Sequence, residues 1–285
     1  MSPTTCWVIL TLTNRTRALT AATRSIPSKH HLVVVNNGGA LPVTMARQHT
    51  TVLALDTNMG VPEGRNKGVS ATHSAIVAFL DDDAELAKFD SATLDRCFAD
   101  ERVGAVAFRI VDETGQSARR HVPRLGRRGA TQAGPVAVFL GGACAIRRDV
   151  YTSVGGYWAD LFYGHEELDL SWRLADQGFV VRYEPSLVVA HPSTTIERHP
   201  QGWRLSARNR VWVARRNLPL PVLVVHVLAW LVLGLIRAPG HKQKTAYLAG
   251  WIDGWRPWPD PNVTRQPIRW RTIVALSRRG RPPLI

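Results

Sequence analysis

Four short apolar runs in the first 83 residues constrain the fold more than any other feature of the sequence. They are CWVILTL at 6–12, HLVVVNN at 31–37, TVLALD at 51–56 and AIVAFLDDD at 75–83. Polar, helix-compatible stretches of roughly ten residues or more separate them. This alternation is typical of β-α units, and it predicts an α/β fold with a mainly parallel sheet flanked by helices.

Two of these runs end in polar residues that the interior of a sheet would not accept. Asn36 and Asn37 end the second run, and Asp81, Asp82 and Asp83 end the fourth. In open α/β sheets, ligands bind beyond the carboxyl ends of the strands. We therefore expect the functional site at this edge of the sheet.

Charge is distributed unevenly along the 285 residues. The formal net charge is +14; residues 198–285 hold 16 basic and 2 acidic side chains, whereas residues 1–197 hold 20 of each. We expect a neutral α/β domain at 1–205 and a basic, Trp-rich extension at 206–285. A strongly cationic extension predicts an anionic partner, either lipid headgroups or nucleic acid.

The run at 218–236 favours lipid. Its 19 residues carry no charge, which is long enough for a membrane span. Pro219, Pro221 and His226 interrupt it and basic residues flank both ends, so we expect a helix that lies on an anionic membrane surface. A single span and a core helix packed on the catalytic domain are the alternatives. Such an apolar run has no use in nucleic-acid binding, so we expect no nucleic-acid partner.

Cysteine usage and the N-terminus predict a cytoplasmic protein. Cys6, Cys97 and Cys144 are far apart and odd in number, which argues against both a zinc site and a disulfide framework. The apolar run that begins at Cys6 passes directly into polar residues, unlike a secretory signal. Together with the basic extension, this predicts a peripheral location on the inner face of the cell membrane.

The aspartate triplet is the first candidate for chemistry. Carboxylates at a strand end are hard oxygen ligands that can hold Mg²⁺ or Mn²⁺ against a diphosphate. In isolation, such a triplet is more often a solvated turn with a helix cap. Here it follows a glycine-rich connection, NMGVPEGRNKG at 58–68, in which Arg65 and backbone amides suit a phosphate.

The segments after the triplet complete a specific pattern. They are FLGGACAIRRDVY at 139–151, GHEELDLSWR at 164–173 and a late histidine, His191. In order and spacing, residues 6–195 resemble the family-2 glycosyltransferases, which are inverting, rhamnosyltransferase-like enzymes of GT-A fold. The resemblance implies transfer of a sugar from a nucleoside-diphosphate-sugar, with UDP and dTDP favoured, assisted by Mg²⁺ or Mn²⁺. Its acceptor would be a saccharide or a lipid-linked acceptor of cell-envelope glycan or glycolipid synthesis.

The resemblance also implies a role for each candidate residue. Glu167 would be the general base that takes a proton from the acceptor hydroxyl. The remaining residues divide into an acceptor side with Glu166 and Gly142, a metal set with Asp81, Asp83 and His191, and a donor set with Thr13, Arg15, Asn36, Arg65, Asp81 and Asp82. This assignment requires Asp83 and Glu167 to face each other across one cleft.

Two positions depart from the family pattern. Glu167 stands where the family commonly has Asp, which lengthens the base by one methylene. Asn36 also replaces an Asp; its carbonyl oxygen can accept the imide proton of uracil or thymine, and guanine stays open. Next to the base, Asp169 and Arg173 are spaced as an i,i+4 surface ion pair.

Two other functions compete with this one. A sugar nucleotidyltransferase shares the sheet type but needs a glycine-rich Arg/Lys loop after the first strand, where this chain has TLTNRTR. A membrane- or nucleic-acid-binding protein on an inactive transferase fold is the other alternative. The presence of Asp83, Glu167 and His191 argues against it.

Overall fold

A mixed β-sheet runs through the molecule. The computed structural model describes residues 4–12, 16–39, 47–123, 129–193 and 199–284, and within them the sheet has nine strands. The strands are β1 Thr5–Thr11, β2 His31–Asn37, β3 Thr50–Leu55, β4 Ile76–Asp81, β5 Glu85–Lys88, β6 Val103–Val111, β7 Gly134–Val136, β8 Ala143–Arg147 and β9 Val180–Ala190. The helices are α1 Thr16–Ser25, α2 Gly60–Ser70, α3 Ser91–Phe98, α4 Arg148–Ser153, α5 Glu166–Asp176, α6 Gly202–Asn217, α7 Leu220–Arg237, α8 His241–Asp253 and α9 Trp270–Arg278.

The strand order is β3-β2-β1-β4-β8-β6-β9-β5, with β7 paired to β9. The first four strands in this order are parallel, which confirms the four strands and the parallel half-sheet expected from the apolar runs. Strand β8 is antiparallel to both of its neighbours, β4 and β6, so the sheet as a whole is mixed. The carboxyl ends of β1, β2 and β4 consequently meet at one edge.

Alternate residues of each central strand pack on opposite faces of the sheet. Trp7 and Ile9 of β1 join one core cluster, which includes residues of α1 and α3. Val8 joins the other cluster with Val35 and Phe79, on the face that carries α2 and α5. This alternation follows from the two-residue repeat of a strand and explains why the runs are apolar without interruption.

The glycine-rich segment at 58–68 is mostly helix, so the expectation of an open connection there was wrong. Helix α2 begins at Gly60. A Cβ atom at Gly64 would overlap the Leu10 side chain, and one at Gly68 would overlap Val8. The two glycines are four residues apart and therefore share one helix face, which lets α2 pack closely on β1. This contact delivers Arg65 to the ends of the strands.

The pair formed by Asp169 and Arg173 is buried, so its expected surface location was also wrong. Asp169 is 0% exposed. Its carboxylate accepts hydrogen bonds from Arg173 Nε at 3.0 Å, from Asn217 Nδ2 at 2.8 Å and from Arg216 Nη1 at 3.3 Å. Helix α6 supplies Arg216 and Asn217 and covers this side of α5, which the spacing within α5 alone does not reveal.

Helix α6 runs across the boundary expected between residues 205 and 206. It packs on the catalytic domain through Trp212, whose ring stacks on Trp158 at 5.6 Å between centroids. The same core cluster includes Trp172 of α5 and Leu223 of α7. The extension is therefore joined to the domain through a shared core.

Helix α7 contains most of the uncharged run. Within the described residues it is the one helix that is long and apolar enough to cross a membrane by length and composition. Val222, Leu223, His226 and Val227 on one side are buried, whereas the other side is exposed. One face of the run thus packs on the domain, as expected for the alternative of a core helix, and the other face is exposed to solvent.

Removal of the Asp169 carboxylate tests whether the extension stabilises the domain. Because Asp169→Ala leaves Arg173 and Arg216 buried without their partner, we expect the free energy of unfolding to fall by about 3–5 kcal/mol in urea denaturation. The control is Arg102→Ala, which breaks an exposed ion pair with Asp100 and should leave the midpoint unchanged. Equal effects of the two substitutions would contradict a stabilising role for the buried pair.

Candidate functional site

A cavity of about 410 Å³ lies at the carboxyl ends of β1, β2 and β4. Its walls include the strand ends, the start of α2, the segment before β8, the start of α5 with the loop before it, the residue after β9, and the histidines at 121 and 199. The described residues that line it include Thr11, Asn37, Asn58, Arg65, Asp81, Asp82, His121, Gly141, Gly142, Phe162, Tyr163, Glu166, Glu167, His191 and His199. The site therefore forms at the edge expected from the polar strand ends.

Three predicted metal ligands lie together at one side of this cavity. The Nε2 atom of His191 is 3.5 Å from a carboxylate oxygen of Asp81 and 3.5 Å from one of Asp83. The ligand atoms of the three residues all lie within 4.8 Å of one another. Asp83 does not line the cavity, so it does not face Glu167 across it as expected; it contacts His191, which does line the cavity. The sequence pattern thus correctly brought the end of β4 and the end of β9 into contact.

The donor set fits a divalent cation. His191 Nδ1 is 2.7 Å from the backbone oxygen of Pro192, to which an Nδ1–H donates. That hydrogen bond leaves Nε2 facing the two carboxylates, to which it donates when the ring is protonated; the neutral ring would offer its Nε2 lone pair to a cation. Two carboxylates and one imidazole suit Mg²⁺ or Mn²⁺.

Asp82 projects to the opposite side of the strand end. It is buried and accepts a hydrogen bond of 2.8 Å from the hydroxyl of Thr11. Thr11 is the last residue of β1, so this bond joins the ends of β1 and β4. Asp82 lines the cavity, as its predicted role in binding the sugar donor requires. Its hydrogen bond to Thr11 also stabilises this part of the cavity wall.

Arg65 connects the metal side of the cavity to the glutamates. Its guanidinium is 2.9 Å from Asp81, 3.4 Å from Glu167 and 3.6 Å from Glu166. Although burial opposes its charge, the carboxylate of Asp81 and the neighbouring acidic groups raise the pKa of Arg65 further. The predicted phosphate-side arginine is thus engaged with carboxylates, and it holds the two ends of the site at a fixed separation.

Glu167 is held by two donors on one of its oxygens. The backbone N–H of Gly141 donates to Oε1 at 3.0 Å, and Arg65 Nη1 donates to the same atom. Glu167 belongs to the first turn of α5, where a carboxylate also interacts favourably with the helix dipole. The predicted base therefore lines the same cavity as Asp81 and His191 of the metal set.

Glu166 differs from Glu167 in its burial. Burial and the neighbouring Glu167 raise the pKa of Glu166 to about 8, although Arg65 opposes the shift. The Oε2 atom of Glu166 is buried and has no hydrogen-bond partner among the described residues. Glu166 therefore takes up a proton near neutral pH.

The two glycines before β8 make room for the charged groups. A Cβ atom at Gly142 would overlap the Asp81 carboxylate, and one at Gly141 would overlap both Arg65 and Glu167. Gly142, which the resemblance assigned to the acceptor side, thus lies against the metal side of the cavity. The absence of these two side chains lets Asp81 and Glu167 share Arg65.

The predicted nucleobase region is described only in part, because Thr13 and Arg15 lie outside the described residues. Asn36 is buried and donates to the backbone oxygen of Gly39 at 3.3 Å. Its neighbour Asn37 lines the cavity, which Asn36 does not. Asn37 accepts from the N–H of Met59 at 3.0 Å and donates to the oxygen of Gly60 at 3.1 Å, and it thereby fixes the start of α2.

The sequence did not reveal the loop that precedes α5. Phe162, Gly164 and His165 all have positive φ angles, of 60°, 84° and 72°. Asn209 of α6, which is 0% exposed, donates through Nδ2 to the backbone oxygens of Leu161, Tyr163 and Gly164 at 2.7–2.9 Å. No motif marks this asparagine within the Arg-rich segment, yet it fixes the strained loop beside the glutamates.

Comparison with known proteins identifies the family and the fold. The model of the family described as "Glycosyl transferase family 2" matches residues 7–155. Two curated relatives, both named pre-mycofactocin glycosyltransferase and both from strains of Mycobacterium tuberculosis, are 31% identical over 199 residues. The match covers 65% of this chain, and the chain spans about 40% of the length of these relatives.

Solved structures show the same fold at low sequence identity. GalNAc-T7 with UDP, GalNAc and Mn²⁺ matches 87% of this chain and 54% of its own, at a TM-score of 0.61 and 14% identity. TarS 1–349 of S. aureus matches 90% and 81% at a TM-score of 0.60 and 13% identity. A mannosyltransferase from Pyrobaculum calidifontis in complex with GDP-Man and Mn²⁺ matches 88% and 74% at 0.58 and 18%. The architecture is thus that of GT-A glycosyltransferases.

The shifted pKa of Glu166 predicts a pH-dependent stability. Because its folded-state pKa lies above the unfolded value, its stabilising contribution is complete below about pH 4.5 and is lost as the pH rises through about 8. Glu166→Gln, which stays neutral, should remove this component. Compared with the native chain, its free energy of unfolding should fall less between pH 5 and pH 9 in urea titrations.

The matched control for this experiment is Glu101→Gln, because Glu101 is exposed at the turn before β6. This variant should keep the pH dependence of the native chain. An unchanged pH dependence in Glu166→Gln would contradict the assignment of a proton to Glu166.

Proposed function

The chain belongs to glycosyl transferase family 2, and from this membership we propose that it is an inverting transferase that uses a nucleoside-diphosphate-sugar. One observation carries the proposal. Asp81, Asp83 and His191 form a metal-ligand set on one side of a cavity, Glu167 lies on another, and Arg65 contacts both Asp81 and Glu167. A sugar bound between them would have a proton acceptor on one side and a leaving-group site on the other.

Inversion requires a single in-line attack on the anomeric carbon. In the proposed reaction, Glu167 takes the proton of the acceptor hydroxyl as its oxygen forms the new glycosidic bond, and the nucleoside diphosphate leaves with the electrons of the broken bond. Gly141 and Arg65 hold Oε1 of Glu167 in place, which compensates for the greater length of glutamate. The other carboxylate oxygen would face the acceptor.

Asp81, Asp83 and His191 would hold the Mg²⁺ or Mn²⁺ ion. When bound, the ion supplies positive charge against the leaving diphosphate. Two structural neighbours were solved with Mn²⁺, which supports a divalent metal in this chain as well. Asp82, fixed by Thr11, would support the donor beside the ion.

The donor is inferred from similar structures and from the family resemblance. Structural neighbours are complexes with UDP and with GDP-Man, which supports a nucleotide-sugar donor. UDP and dTDP are proposed from the resemblance alone, because Asn36 does not line the cavity. The acceptor is proposed to be a saccharide or lipid-linked acceptor in cell-envelope glycan or glycolipid synthesis. The cationic extension supports a location of the protein at the cytoplasmic face of an anionic membrane.

A panel of UDP-, dTDP- and GDP-sugars tests the metal and the base together. With Mn²⁺ present, one of these donors should raise the melting temperature of the native chain and be slowly hydrolysed. Asp83→Asn should lose the Mn²⁺-dependent stabilisation. Glu167→Gln should still bind the donor, while hydrolysis falls by about 10²–10⁴-fold because the base is missing.

Glu101→Gln again serves as the control and should behave like the native chain in both measurements. Full Mn²⁺-dependent hydrolysis by Asp83→Asn would refute the metal assignment. Undiminished hydrolysis by Glu167→Gln would assign the base to another residue.

Asn209 is expected to position the loop beside the glutamates. In Asn209→Ala, the backbone oxygens of Tyr163 and Gly164 lose this donor, while that of Leu161 keeps Arg208. We therefore expect kcat for donor hydrolysis to fall at least about tenfold at temperatures where the variant is fully folded. Asn217, equally buried in the same helix, bonds Asp169 instead of the loop. Asn217→Ala should therefore lose stability and keep kcat within about twofold of the native value. Equal losses of kcat in the two variants would show that the role of Asn209 is purely structural.

A further inference from the structure

We infer that the exposed face of α7 lies flat in the headgroup region of an anionic phospholipid bilayer and does not cross it. This inference rests on the proposed membrane location and specifies its surface and geometry. The exposed face consists of Val224, Val225, Leu228, Val232 and Ile236, whose exposed fractions range from 50% to 73%. Val224, Leu228, Val232 and Ile236 are four residues apart and Val225 precedes Leu228 by three, so all five lie on one side of the helix and form a continuous apolar stripe.

The opposite side of α7 is fixed to the domain near its N-terminal end. Leu223 and Val227 belong to the core cluster that contains Trp172 of α5. His226 is buried, its Nδ1 atom is 2.7 Å from the backbone oxygen of Pro283, and its ring lies 5.8 Å from that of Trp172. These contacts tie α7 to the helix that carries Glu166 and Glu167.

The C-terminal half of α7 is fixed in the same way. A Cβ atom at Gly234 would overlap the ring of Tyr247, so α7 and α8 pack closely. The hydroxyl of Tyr247 donates to the backbone oxygen of Trp230 at 2.8 Å, and the guanidinium of Arg210 lies 3.5 Å from the centre of the Trp230 ring. All of these partners sit on α6 or α8, away from the apolar stripe.

This anchoring argues against a membrane span. An 18-residue helix is about 27 Å long, close to the thickness of a bilayer core, so its length alone permits either geometry. A spanning α7 would have to leave His226 without Pro283 and bring Arg210 and Tyr247 to the hydrocarbon or lose them. If α7 lies in the membrane interface, the apolar stripe is buried and all of these contacts are kept.

The surrounding charge selects an anionic lipid surface. Arg237 ends α7, and Lys242 and Lys244 lie in the first turn of α8, which begins at His241. All three are exposed, and within the described residues none has a carboxylate partner. Exposed Lys and Arg beside an apolar helix face are attracted to anionic headgroups. The same charges would repel a second copy of this chain, and an apolar stripe gains nothing from a phosphate backbone.

Vesicle binding by the full-length chain tests the inference. The probes are vesicles of phosphatidylcholine alone and of phosphatidylcholine mixed with phosphatidylglycerol. We expect binding to the anionic vesicles, and about tenfold or more weaker binding for Leu228→Glu, because a carboxylate would enter the apolar interface. The matched control is Val52→Glu, an exposed apolar position on β3, which should bind like the native chain.

Depth is measured with a fluorophore on Leu228→Cys, which reacts selectively because Cys6, Cys97 and Cys144 are buried. Quenching should be stronger by lipids with a nitroxide near the headgroup than by lipids with the nitroxide at the end of the acyl chain. Stronger quenching from the bilayer centre would show a span and overturn the flat geometry.

Three other results would also overturn the inference: no binding of the native chain to anionic vesicles, full binding by Leu228→Glu, or a dimer of the native chain that Leu228→Glu dissociates. Donor hydrolysis in solution, measured on the same samples, separates this failure from failure of the proposed function. If the native chain hydrolyses its donor but does not bind vesicles, only the proposed membrane surface is refuted and the proposed function stands.

Discussion

The ion cluster around Arg65 is the interaction on which the site depends. Asp81, Glu166 and Glu167 converge on one buried guanidinium, and without it three acidic side chains would face one another with little solvent to screen them. Burial makes the cluster costly, and the proton on Glu166 lowers that cost by removing one negative charge. The cluster therefore fixes the distance between the proposed metal ligands and the proposed base.

The rest of the architecture can be understood as what brings Arg65 and its partners together. Gly64 and Gly68 let α2 approach β1, which places Arg65 under the strand ends. Gly141 and Gly142 leave room for the carboxylates on the opposite wall. The positive-φ loop before α5 turns the chain so that Glu166 and Glu167 enter from the side, and Asn209 of α6 holds that loop in place.

Much of this was predictable from sequence where the signal was local. Apolar runs located β1, β2, β3 and β4, and the resemblance brought Asp81, His191 and Glu167 to one cavity, with Asp83 in contact with His191. Features that depend on packing between distant segments were not predictable. The glycines of α2 look like a loop until β1 is beside them, and the pair of Asp169 and Arg173 looks solvent-exposed until α6 covers it. Asn209 has no motif, because its partners are backbone oxygens that any residue supplies.

The short connection between α6 and α7 has a mechanical consequence. Only Leu218 and Pro219 separate the helix that holds the cavity loop from the helix with the apolar stripe, and both helices share a core with α5. This two-residue connection is too short to act as a hinge between the catalytic domain and α7. Whatever surface α7 rests on, the mouth of the cavity would stand at a constant height and tilt above it, so reach toward an acceptor would be set by rigid geometry and not by the length of a tether.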